Sequence, residues 1–227
     1  MDTEQLPIQG QGGLIDFLEK IRDPRKARGI RHKPASLLAL SICAGLCGAL
    51  TYEGIAHWGK ALSEEALRRL GFRQGRPPSE SAIRRFLQQI DPVGLDDQLG
   101  KWILKKVVEG KLTGVAIDGK VLRGSHDGDR KPIQLLSAIV QKQGVVIGQR
   151  SIASKTNEIP VARVLLKSLP LEDVVVTGDA MHTQKKTASY LVKKKKADYL
   201  FTVKDNQPTL KNDIESLGDE DFSPSAH

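Results

Sequence analysis

The segment Val115-Ala116-Ile117-Asp118-Gly119 decides the reading of this chain: three apolar residues, an acid, then a glycine. A short β-branched run bounded by turn residues reads as a buried strand. Asp118 therefore falls at a strand end, where a solvated surface acid is not expected. Val174-Val175-Val176-Thr177-Gly178-Asp179 repeats the arrangement, with its acid 61 positions later. Two carboxylates at the ends of strands in one sheet can converge at its edge. There they repel each other unless a cation lies between them, and a hard, oxygen-ligated ion such as magnesium suits them. Two such ions, roughly 3.5–4 Å apart, activate a water or a 3′-hydroxyl and stabilise the leaving oxygen of a phosphodiester. Position alone leaves a second reading open, because aspartate beside glycine is ordinary turn and cap chemistry.

Outward from Asp118, short apolar runs recur at 135–140, 145–147, 174–177 and 199–203, with helical stretches near 159–169 and 183–195. Three strands in succession, then helix–strand–helix–strand, predict a mixed sheet flanked by helices. The turn at 141–144 suits a hairpin. Toward the amino terminus the periodicity becomes helical. Residues 14–21 form one amphipathic segment that ends at Asp23-Pro24. A basic connector follows, with Arg25, Lys26, Arg28, Arg31, His32 and Lys33. Ser36 is then the expected N-cap of a helix running to Leu50, and apolar residues all round mark that helix as buried. Shorter helices are expected at 52–61 and 63–70, with Gly71 as C-cap of the second. Ser79 opens another helix carrying Ile83, Phe86, Leu87 and Ile90, and Asp91-Pro92 begins the last. Trp58 and Trp102 read as core. The expected organisation is a helical domain over 1–110, with a helix-turn-helix as one form it can take, and an α/β domain over 111–227. The tail after Leu217 has no periodicity and is expected to fray.

The 227 residues are enough to bury a real core, and 39% hydrophobic with 27% charged residues is ordinary for a folded soluble protein. Aromatics are only 4%, which excludes a base-stacking platform of several rings. The net charge of +8 favours a polyanionic partner, of which nucleic acid is the commonest; a basic protein without such a partner is the alternative. Cys43 and Cys47 share a helical face in an apolar run and read as buried free thiols, with no zinc ligands nearby. The start has no signal-peptide pattern, and the apolar run 37–50 is too short to span a bilayer. The expected location is the cytoplasm, in association with the nucleoid.

Four stretches in matching order carry a resemblance: VAIDGKVLRGS (115–125), SKTNEIP (154–160), VVTGDAMHTQ (175–184) and ADYLFTVKDNQPTL (197–210). They are similar to the successive motifs of insertion-sequence transposases of the ISAs1 and H-repeat-associated family. RDPRKARGIRHKP and PPSESAIRRFLQQIDP resemble the helical domain that precedes that family's catalytic core. The resemblance implies a ribonuclease-H-like fold, a metal-binding Asp-Asp-Glu triad, Mg2+ or Mn2+ as a pair of ions, and a homo-oligomer working on transposon-end and target DNA. Asp118 matches the first acid and Asp179 the second. It also implies a third acid in a Gly-Arg-x-Glu segment, which this sequence does not contain, so truncation of the core is one expectation. Glu215, in the expected last helix, reads as a surface acid. Glu158 begins the helix after the third strand and is the other substitute, unless it simply favours the helix dipole.

Among the basic residues, Lys120 and Arg123 follow Asp118 closely enough to contact a phosphate, plain solvation being the alternative. Lys204, after the last strand, can face DNA, with Asn206 expected to cap the next helix. Arg84 and Arg85 lie on the outer side of the helix from Ser79, as a recognition helix or as a charged solvent face. Lys193 to Lys196 read as a solvated helix end, and His182 as exposed or packed behind the acids. The expected activity is DNA cleavage and strand transfer; a DNA-binding remnant without catalysis and a plain metal-dependent nuclease are the rivals.

Overall fold

The computed structural model describes residues 8–28, 30–106, 111–125, 128, 131–153 and 157–217. Residues 154–156 of the second quoted motif and the tail after Leu217 lie outside them. The chain divides into two compact units, Met1–Glu109 and Gly110–His227. No helix among the described residues is long and apolar enough to cross a membrane.

The first unit holds α1 (Leu14–Leu18), α2 (Pro34–Leu46), α3 (Tyr52–Ala61), α4 (Glu64–Arg69), α5 (Glu80–Leu87) and α6 (Pro92–Lys106). Hydroxyl caps set three of the starts: Thr51, Ser63 and Ser79 accept from the backbone N–H three residues on. The Asp91 carboxylate accepts from Val93 N at 3.0 Å, ahead of Pro92, and begins α6. Leu37, Leu38, Ala39 and Leu40 of α2 are all but fully buried, at the centre of a core completed by Leu18, Ile83 and Phe86. Truncating one of these leucines to alanine would cost about 2–5 kcal/mol.

Helix α2 differs from expectation at both ends. Pro34 occupies its first turn, since proline needs no N–H partner there, so Ser36 lies buried inside the helix and is not its cap. The helix stops at Leu46, because Gly48 adopts φ +89° and closes a Schellman turn: Gly48 N donates to Gly45 O at 3.0 Å and Ala49 N to Ala44 O at 2.9 Å. Leu50 is consequently exposed. The cysteines separate as well. Cys43 is buried, which pushes its thiol up to about 11, whereas Cys47 caps the helix end and is exposed, so only one of the two expected buried thiols is buried.

The second unit runs β1 (Gly114–Val121), β2 (Gln134–Val140), β3 (Val145–Ile152), α7 (Glu158–Lys167), β4 (Val175–Gly178), a single 3-10 turn (Ala180–His182), α8 (Lys185–Tyr190), β5 (Asp198–Phe201) and α9 (Pro208–Glu215). Its five strands lie in the order β3-β2-β1-β4-β5. The first three form an antiparallel meander, whereas β4 joins β1 in parallel and β5 joins β4 in parallel. This is the ribonuclease-H-like mixed sheet. The meander needs only a tight hairpin, which Gly144 at φ +66° supplies, while each parallel pairing needs a crossover, supplied by α7 and α8. One sheet face, with Val115, Ile117, Leu136, Ala138 and Val176, is buried, and α7 contributes Ala162, Leu165 and Leu166.

After α8 the chain continues as a π-turn over Leu191–Lys195 and ends with Lys196 in the left-handed region. Its lysines are not a uniform solvated end. Lys195 Nζ donates to Lys167 O at 2.8 Å and Leu169 O at 2.7 Å, satisfying carbonyls at the end of α7, while Lys196 pairs with Glu172.

Candidate functional site

Strands β1 and β4 pair in parallel with Gly114, Val115 and Ala116 opposite Val175, Val176 and Thr177. Two residues past its last pair, the same register would bring Asp118 level with Asp179. Contrary to expectation, Asp118 does not end its strand, because β1 runs on to Val121, while Asp179 follows the end of β4 as the cap of the 3-10 turn. Asp118 also lies opposite Ser137 of β2, whose buried hydroxyl accepts from Gln149 Nε2 at 3.1 Å. The Asp118 carboxylate is half exposed and turns to Lys120 Nζ at 3.5 Å. A solvated pair of this kind is worth about 0–1 kcal/mol, so the carboxylate can turn away from it at little cost. Asp179 caps the 3-10 turn, accepting from Met181 N at 3.1 Å, and remains largely exposed.

A second group lies on the other face of β1. A Cβ on Gly119 would strike the carboxylate of Glu158, the first residue of α7. Because side chains alternate along a strand, Gly119 and Asp118 point to opposite faces, so Glu158 reaches β1 from the side opposite Asp118. His182 is 1% exposed and links Glu158 to Asp179: its Nε2 lies 3.5 Å from Glu158 Oε2 and 3.9 Å from Asp179 Oδ1. Neither ring nitrogen has a hydrogen-bond partner among the described residues. His182 is thus packed behind Asp179, and bare Gly178 lets it pack there: a Cβ on Gly178 would come within 3.0 Å of Ile117 and 3.4 Å of the His182 side chain.

No three His, Cys, Asp or Glu side chains among the described residues are arranged to hold a metal ion. The donor set at the rim nonetheless suits a hard divalent cation, being carboxylate oxygen with a buried, unpartnered imidazole behind one of the acids. Glu215 is exposed at the end of α9, 3.9 Å from Lys211 Nζ, as a surface acid.

Polar residues whose role the sequence does not reveal fix the turn carrying Asp179. Asn206 does not cap α9. Its side-chain amide donates to Ala180 O at 2.6 Å, and Gln207 takes the cap position while its own amide donates to Thr183 O at 2.9 Å. The Thr183 hydroxyl donates to Thr202 O at 2.6 Å. These three bonds tie the loop after β5 to the turn after β4. Only the topology, which makes β4 and β5 neighbours, reveals that purpose.

The basic candidates separate. Lys120, Arg123 and Lys204 are exposed in the second unit, Lys120 beside Asp118. In the first unit, Arg84 is engaged by Glu80 one turn earlier and lies 5.7 Å over the Tyr52 ring. Arg85 Nε donates to Ser81 O at 3.1 Å, and the residue lines a cleft with the basic connector.

Comparison with known proteins gives two family matches: residues 15–103 to a family described as DDE_Tnp_1-associated, and residues 109–224 to one described as transposase DDE domain. "Putative transposase YncI" of Escherichia coli K12 is 35% identical over 206 residues, covering 89% of this chain and 82% of that protein. Its counterpart in strain O157:H7 is 36% identical over 206 residues, but this chain spans only 52% of its length. "H repeat-associated putative transposase YbfD" of strain K12 is 32% identical over 204 residues, covering 89% of this chain and 80% of that one. A piggyBac transposase synaptic complex with hairpin DNA matches at a TM-score of 0.44 and 15% identity, over 91% of this chain and 51% of that chain, a likeness too low to argue from.

Proposed function

The chain belongs to the family of DDE-domain transposases, and from that premise we propose that it cuts and joins DNA at insertion-sequence ends, with Asp118 and Asp179 holding the divalent metal. The observation that supports this reading is the parallel register of β1 and β4, whose last pair, Ala116 and Thr177, lies two residues before Asp118 and Asp179. In cleavage, a water oxygen bonds to phosphorus as the bond to the 3′ oxygen breaks, and the proton lost by water is balanced by the one the 3′ oxygen gains. In strand transfer, the freed 3′-hydroxyl attacks a target phosphodiester, so one P–O bond replaces another and nothing is oxidised. Bound Mg2+ or Mn2+, as a pair, would activate the attacking oxygen and neutralise the leaving one.

The chain's own residues position the reactants. Asp118 is released from Lys120 to serve as a ligand, and Lys120 and Arg123 are left to meet the phosphate. The turn held by Asn206, Gln207 and Thr183 fixes Asp179 against β4, and His182 limits its swing. Lys204 extends the basic rim, and the protein works as a homo-oligomer on DNA. The lack of a three-acid arrangement among the described residues favours one rival, a DNA-binding chain without cleavage.

Incubation with magnesium and duplex DNA carrying the element's terminal sequences separates the readings. Nicked and joined products, abolished by Asp118→Ala and by Asp179→Ala, are expected. Binding without cleavage in both magnesium and manganese would overturn the enzymatic reading, and nicking without joined products would leave a nuclease.

A further inference from the structure

The helical unit contains a cleft of about 710 Å3 between the basic connector and the start of α5. Arg25, Lys26, Arg28, Arg31, Ser79 and Arg85 line it, and no carboxylate among the described residues does. Arg25 is committed to structure: it donates to Asp23 at 2.9 Å and to His32 O at 2.8 Å, and it lies 4.9 Å over the Phe86 ring. Lys26, Arg28 and Arg31 have no acidic partner among the described residues. They stand on irregular backbone that Arg25 anchors to the core. We infer that this cleft is a binding site for the phosphodiester backbone of duplex DNA, distinct from the acidic rim of the other unit and contacting phosphates rather than base edges.

Three features support that assignment, which rests on the reading that this chain works on DNA. The cluster is dominated by guanidinium groups, whose forked donors match phosphate oxygens better than ammonium groups do. A cationic concavity without carboxylates concentrates positive potential. That field is felt locally: after burial, Arg25 and Arg31 are the charges that hold His32 below its usual range. The outer side of α5 offers no such cluster, since Arg84 there has the Glu80 carboxylate one turn away and the Tyr52 ring beneath it. A smaller basic depression of 460 Å3 in the other unit, with Lys186, Lys193 and Lys194, is mostly lysine and serves as the comparison.

The test is fluorescence anisotropy with the full chain and two labelled duplexes, one of terminal sequence and one scrambled, titrated in EDTA over a range of NaCl. Each phosphate contact contributes about 0.9 to the slope of log affinity against log salt. Lys26→Gln, Arg28→Gln and Arg31→Gln together should lower the slope by about 2.7 on both duplexes. The matched triple Lys186→Gln, Lys193→Gln, Lys194→Gln removes the same charge and should leave the slope within about 1 of the parent's. An unchanged slope in the cleft triple, an equal fall in both triples, or a loss confined to the terminal sequence overturns the inference. Should the cleft triple lose its helical signal, Arg28→Gln and Arg31→Gln taken singly carry the test, each expected to lower the slope by about 0.9. Since binding is read without divalent metal, a failure of cleavage at Asp118 and Asp179 leaves this result standing, and the two readings fall separately.

Discussion

Gly119 shows how a single residue shapes the candidate site. Glu158 occupies the space that its side chain would fill, so the glycine admits the first residue of α7 against β1. What a methyl group would displace is the far end of a flexible side chain, not backbone. Gly119→Ala should therefore leave unfolding stability within about 0.5 kcal/mol of the parent. Cleavage should nonetheless fall on the order of tenfold or more, because Glu158 would be driven from His182, which backs Asp179, and small displacements at such centres are costly. Denaturant melts and single-turnover cleavage read the two effects. A variant that cuts at the parental rate would show that Glu158 has no influence on Asp179. Asp118 and Asp179 stand out in the sequence as candidates because each follows an apolar run, although β1 continues past Asp118 to Val121. Gly119 and His182 were not legible in their roles, because those depend on which face of the sheet α7 covers.

At the scale of elements, the connector between α1 and α2 reads as a basic run but behaves as a structured strap. Arg25 pins it to Asp23, to the His32 carbonyl and to Phe86, and the His32 ring meets Phe72 edge-on at 5.3 Å between centroids. Burial, then the charges of Arg25 and Arg31, hold His32 below the usual 6.5, with Lys33, Arg73 and Arg76 around the same depression. The folded chain thus binds fewer protons than the unfolded chain just below pH 6.5. This contribution to stability is complete above that pH and is lost as pH falls through the lowered folded value. The melting temperature should fall between pH 7 and pH 5 more steeply in the parent than in His32→Gln; parallel curves would contradict this. Capping chemistry made the starts of α5 and α6 readable, since Ser79 and Asp91 sit where their hydrogen bonds require, whereas the caps Thr51 and Ser63 went unread. It misplaced the start of α2, where proline at the first turn outweighed the serine two residues later. It also misassigned Asn206, whose amide reaches across to Ala180 in a contact that no local pattern encodes.

Across the whole molecule, the change from helical to alternating periodicity near residue 110 announced two kinds of structure, and the order of strands and helices announced a mixed sheet. The strand order β3-β2-β1-β4-β5 follows once a meander must be extended by parallel strands with helical crossovers. Hidden from the sequence was the register of β1 against β4, on which the proposed juxtaposition of Asp118 and Asp179 depends. A crystal of the chain bound to duplex DNA and soaked in manganese chloride would test that juxtaposition most directly through anomalous scattering. A manganese peak is expected at about 2.0–2.2 Å from carboxylate oxygens of both Asp118 and Asp179. Manganese bound elsewhere, or held by one of these aspartates with the other turned away, would contradict it.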